Sequence, residues 1–100
     1  MNQDYLFNYQ SHTEELVEEE VLLDTLKDEH DLYVINDEVN TFEYVIETLK
    51  KVCGHTSEQA EQCTYIIHFK GLCSVKKGSF RTLKPMMEAI CERGIHAEIV

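Results

Sequence analysis

One hundred residues with 43% hydrophobic side chains suffice for one small domain with a modest core. The formal net charge of −10 is unevenly spread: residues 1–31 hold ten acids and a single base, Lys27, a net of −9, while the remaining chain carries nine acids against eight bases. This distribution excludes a basic surface for nucleic acid; the acidic start lacks the pattern of a signal peptide, and no apolar run approaches the roughly 20 residues of a membrane span. A soluble cytoplasmic protein without membrane contact is expected.

In chain order, residues 1–31 read as an acidic, flexible N-terminal extension, because like charges resist collapse. Within it, Leu16, Val17, Val21, Leu22, Leu23 and Leu26 have the spacing of a transient amphipathic helix. Residues 32–100 form the expected domain. Leu32, Tyr33, Val34 and Ile35 are β-prone, and Asn36-Asp37-Glu38 suits a strand end or turn. Asn40 or Thr41 can cap a helix that carries Phe42, Val45, Ile46, Leu49 and Val52 at helical spacing and stops at Gly54.

A second helix starts at Thr56 or Ser57, repeats Ala60, Cys63, Ile66 and Ile67, and ends near His68 or Phe69, before Gly71. Leu72, Cys73 and Val75 sit in a short strand ending at Lys76-Lys77-Gly78. The third helix starts at Ser79 or Thr82 and runs to Glu92 or Arg93. A Thr82 cap places Pro85 in the first turn, where proline is tolerated, whereas a Ser79 start places it deeper and favours a kink. Residues 95–100 alternate as a last strand. The order β-α-α-β-α-β implies an α+β fold, a small three-stranded antiparallel sheet packed against three helices.

Catalytic and metal motifs are absent from the sequence. The four glycines mark element boundaries, with no phosphate-binding loop, nucleophile elbow or zinc-protease helix. Cys53, Cys63, Cys73 and Cys91 form no C-x-x-C pair and read as reduced, mostly packed thiols. A cysteine–histidine nucleophile pair is formally open, since only spatial geometry identifies one. His68, among apolar neighbours, reads by default as a satisfied core histidine.

Two segments go further. Residues 32–45, with Asn36-Asp37-Glu38 followed by Asn40-Thr41-Phe42-Glu43, resemble the signature of the ClpS adaptors. Ile66-Ile67-His68-Phe69-Lys70-Gly71 is similar to that family's apolar-apolar-His-aromatic-x-Gly segment. The resemblance implies an adaptor, not an enzyme, that captures N-degron proteins by their first residue and delivers them to the N-terminal domain of a Clp-type AAA+ unfoldase of ClpA or ClpC type. It implies that Asn36, Asp37 and His68 hold the free α-amino group, that Val45 and Ile67 form the pocket wall, and that Phe42 and Thr64 line or gate it. Glu38, Asn40 and Ala97 fall at its rim or floor. Ser79 and Lys84 fall in the unfoldase contact. No cofactor or metal is expected, and the chain should be a monomer.

These residue types suit the task on physical grounds. An α-ammonium has three donors and a positive charge, and in a partly dry site it needs acceptors. Asp37 supplies charge, Asn36 a carbonyl and neutral His68 a ring nitrogen. Four departures from the family pattern stand out: Glu38 replaces an aspartate, Asn40-Thr41 replaces Thr-Pro, Phe42 is bulkier at a gating position, and Thr64 and Ala97 are smaller or more polar than usual. They imply an altered first-residue preference. They also motivate an alternative, a regulator that docks on the unfoldase without reading degrons.

Overall fold

The computed structural model describes residues 29–100; the predicted leader helix and nearly all of the acidic extension lie outside the described residues. Six elements follow in order: β1 (His30–Ile35), α1 (Phe42–Cys53), α2 (Ser57–Lys70), β2 (Leu72–Gly78), α3 (Phe80–Glu92) and β3 (His96–Ile99). They form the expected α+β fold, with three helices and one antiparallel sheet of order β2-β1-β3. β1 begins two residues earlier than the hydrophobic run suggests, which draws His30 and Asp31 into the sheet. Asp31 accepts a hydrogen bond from Ser74 and pairs with Lys77 across the β1–β2 ladder.

Alternation along β1 buries His30, Leu32 and Val34 while Asp31, Tyr33 and Ile35 stay half-buried. The buried face meets Leu49 and Cys53 of α1, Ala60 and Ile67 of α2, and Leu83 and Ile90 of α3 in one core. A bulge on β2 sits opposite the Leu32–Tyr33 step, where Leu32 pairs with Lys76 but Tyr33 pairs with Ser74. The extra residue, Val75, is buried, and Lys76 reaches the core side to donate to the Cys53 carbonyl at 3.1 Å. A cation thereby closes the C-terminal end of α1.

Local signals set the helix ends. Of the two candidate caps for α1, Thr41 serves: its side chain accepts from the Tyr44 amide. Thr56 caps α2 in a reciprocal box with Gln59. Gly54 and Gly71 end these helices at φ 72° and 97°, left-handed conformations that a side chain would strain. α3 starts at the Ser79 cap rather than at Thr82, so Pro85 lies inside the helix. The helix gives up the bond that residue 85 would donate to the Arg81 carbonyl. Both residues are exposed, so solvent is at hand for that carbonyl.

The turn after α3 is tied to α1. Tyr44 donates its hydroxyl to the Arg93 carbonyl at 2.8 Å, the Arg93 guanidinium lies 5.0 Å above the Tyr44 ring, and its Nε donates to Thr48 Oγ1. These bonds hold the first turns of α1 over the end of α3 and so fix the loop that precedes α1. No helix of the described residues is long and apolar enough to cross a membrane.

Candidate functional site

Beyond β1 the chain makes a tight loop before α1. Asp37 Oδ1 accepts from the amides of Val39 (2.8 Å) and Asn40 (2.9 Å), the pattern of an Asx turn. Its Oδ2 accepts from Asn40 Nδ2 at 2.8 Å, and the same amide donates to the Gly94 carbonyl at 2.9 Å. Asn40 therefore ties the loop to the turn after α3. The backbone amide of Asn36 donates to the Gly71 carbonyl at 2.8 Å, which anchors the loop to the end of α2.

Three N–H groups stabilise the Asp37 carboxylate. The Asn40 amide is foremost, followed by the Val39 amide and the Asn40 side chain with a contribution from the His96 charge, against a partial desolvation that acts the other way; the carboxyl is held below its ordinary value of 3.8. Each carboxylate oxygen has two acceptor sites. Oδ1 has both taken by backbone amides, while Oδ2 accepts one bond and keeps room for a second.

This loop forms one side of a cleft of about 530 Å³. Asn36, Asp37, Glu38, Asn40 and His68 supply its polar lining. Phe42, Val45, Thr64 and Ile67 line the rest, and Thr41 joins them. Ten positions from two segments, 36–45 and 64–68, thus converge because α1 and α2 pack side by side. Two of the expected residues need correction. Ala97 is not among the residues lining the cleft. It pairs with Val34 across β1 and β3 and is 4% exposed, so the sheet register places it inside the core. His68 is not a core histidine but exposed. Ala60, Thr64 and Ile67 occupy the inward face of α2, and one further residue turns His68 by about 100° away from it.

Packing sets the remaining side chains. The His68 ring stands edge-on to Phe42, with centroids 5.8 Å apart, and to Phe69 at 5.0 Å. Phe42 also meets Tyr65 edge-on at 4.9 Å, so its ring is braced from α2. Thr64 donates its hydroxyl to the Ala60 carbonyl at 2.7 Å, which satisfies its polarity within the helix and leaves an essentially apolar wall. Beneath the loop lies a second, small cavity of about 20 Å³ bounded by Val34, Val45, Ile67 and Ile95 among others. The sequence shows Thr41 as a helix cap rather than a lining residue, and Ile95 only as part of the last strand. Thr41's capping role hid its place on the cleft, and Ile95 follows from the turn after α3.

Ser79 caps α3 and Lys84 lies on it, both outside the lining of the cleft. Ser79 is occupied as the helix cap, accepting from the Thr82 amide at 3.1 Å. None of the four cysteines lines the cleft. Burial pushes the thiol of Cys53 up to about 11 and that of Cys73 up to about 12, the opposite of what a nucleophilic thiol requires. Among the described residues no group of three or more His, Cys, Asp or Glu side chains could hold a metal ion.

A family model described as "ATP-dependent Clp protease adaptor protein ClpS" matches residues 26–98. The chain belongs to the ClpS family. Its members are adaptors of the ATP-dependent Clp protease. Among solved structures, Agrobacterium tumefaciens ClpS2 bound to L-phenylalaninamide superposes with a TM-score of 0.67. The two chains are 18% identical, and the match covers 73% of this chain and 95% of the other. At that identity the likeness speaks for the fold. No match appears among curated proteins.

Proposed function

We propose that this ClpS-family protein reads the first residue of other proteins: Asn36, Asp37 and His68 hold the free α-amino group, and the cleft behind them takes a bulky apolar first side chain. The bound protein is then handed to a Clp-type AAA+ unfoldase, with the stretch of α3 around Ser79 and Lys84 as the docking region. The observation that carries this reading is the mixed lining of that cleft. It brings the Asp37 carboxylate, Asn36, Asn40 and His68 together with the apolar side chains of Phe42, Val45 and Ile67. The ligand of the Agrobacterium structure, L-phenylalaninamide, joins a free amine to an aromatic side chain, a combination of the same chemistry.

Magnitudes agree with an adaptor that releases what it binds. Charge-assisted bonds to an ammonium contribute about 1.5–3 kcal/mol each. Burial of one large apolar side chain adds about 1.5–3 kcal/mol. Association costs at least about 4 kcal/mol in lost freedom. Three such bonds and the apolar contact, at the upper end of these ranges, leave about 8 kcal/mol, an affinity of micromolar order. An internal peptide N–H offers one donor and no charge, so chain ends are preferred. Cytoplasmic work as a monomer is part of the same reading.

The test is a fluorescence-anisotropy titration with peptides beginning in Phe or Leu, each with a free or an acetylated amine. Free peptides should bind at least about tenfold tighter, the loss of one or more charged bonds. Equal binding of both forms, or of neither, would sink the proposal and leave a regulator that docks without reading chain ends.

A further inference from the structure

The wall of the cleft continues outward as a row of rings. Phe42 meets Tyr65 edge-on at 4.9 Å. Tyr65 in turn stacks on Phe69, one turn further along α2, with centroids 5.8 Å apart and planes 7° from parallel. His68 closes the row against both Phe42 and Phe69. Phe42 and His68 line the cleft, whereas Tyr65 and Phe69 stand outside it, 54% and 73% exposed.

A single exposed apolar side chain needs no explanation. Two stacked rings joined to a cleft are different, because adjoining apolar surface at a binding groove marks further contact. α2 has no way to bury them inward, since Ala60, Thr64 and Ile67 already fill its core face. The four rings form one surface that starts inside the cleft and ends in solvent.

We propose that Tyr65 and Phe69 form a second subsite, which takes the side chain of the cargo's second residue and favours an aromatic or large aliphatic group there. The inference rests on the reading of the cleft as the seat of the first residue. With the amine at Asn36, Asp37 and His68 and the first side chain inside, the chain leaves at the mouth beside His68. Consecutive Cα atoms are about 3.8 Å apart, and ring-to-ring steps in the row are 5.0 to 5.8 Å around His68. On that reading the second residue lies one Cα step from the group beside His68, and the His68 ring itself touches Phe69 at 5.0 Å. No charged side chain belongs to the row, so selection is by apolar contact and not by charge.

The test uses free-amine peptides beginning in Phe, with Phe, Leu or Ser second, titrated against the full chain and its Phe69→Ala variant. Phe69 is the position to change because it is exposed; since its ring also packs edge-on against His68, the Phe-Ser peptide reports whether His68 still works. Partial cover of a ring predicts about fivefold tighter binding for Phe or Leu second than for Ser. Phe69→Ala should shrink that gap below about twofold and leave the Phe-Ser peptide unchanged. The subsite is overturned by an absent gap in the parent protein, by a gap that survives the substitution, or by equal weakening of all three peptides. Loss of the free-versus-acetylated difference instead removes the first-residue reading, and this inference with it.

Discussion

At the mouth of the cleft, Asp37 is held by N–H groups two and three residues further along the chain. At its wall, Val45 comes from α1 and Thr64 and Ile67 from α2, and all three are buried in the packing of those helices. The polar end is a local device attached to the fold at few points, such as Asn40 to Gly94. The apolar end is part of the core itself. Binding and stability should therefore separate at the mouth and stay joined at the wall.

Ile67→Ala is the strongest test of the joined end. Ile67 is 3% exposed and belongs to both core and cleft, so truncation should cost about 2–5 kcal/mol of stability by denaturant unfolding and weaken apolar first residues as well. A variant as stable as the parent would break the comparison. At the mouth, Asp37→Ala should weaken free-amine peptides by about 2–3 kcal/mol, roughly 30- to 150-fold, while the unfolding midpoint falls little. A large stability loss with modest binding loss would mean that the loop is structural only.

The pH dependence sharpens the same point. Because the folded value of Asp37 is depressed, its stabilising charge is present above 3.8 and lost only as pH falls through its lowered value. Decline on the alkaline side then belongs to the cargo: affinity should fall up to about tenfold per pH unit above the amine's value of roughly 7.7–8.0. An affinity indifferent to pH 7 to 10 would speak against ammonium recognition. The smallest effect is expected of Asn40→Ala, which removes the side-chain bonds to Asp37 and Gly94 but leaves the Thr41 cap. Binding should weaken by about 1 kcal/mol, near fivefold, by the same titration. No change would show that the backbone amides alone hold Asp37.

Much of the site was legible because its polar part is local. Asn36-Asp37-Glu38 next to a capping threonine and a helical apolar repeat already describes a strand, a turn and a helix start, and the turn's own side chain organises it. The cap at Thr56 and the repeat of Ala60, Cys63, Ile66 and Ile67 describe the partner helix in the same local way. His68, taken by itself, misled: apolar neighbours suggested a core position, yet its rotation relative to Ile67 turns it out. Ala97 misled in the opposite way, since alternation along β3 is visible but the neighbour it faces is set by pairing with β1. For Pro85 the two helix starts were evenly matched in local chemistry, and Ser79 prevailed with the core burial of Leu83 at its first turn.

Composition and periodicity by themselves determined the α+β class, the order of elements, the acidity of the first residues and the turn that carries Asp37, because each depends on residues within a few places of one another. Only the tertiary structure decided which helix faces meet: that Thr64 hides its hydroxyl, that Ala97 lies inside, and that Tyr65 and Phe69 lie against the cleft's edge in solvent. Those outcomes depend on the crossing of α1 over α2 and the register of the sheet, contacts between distant residues that no local pattern encodes.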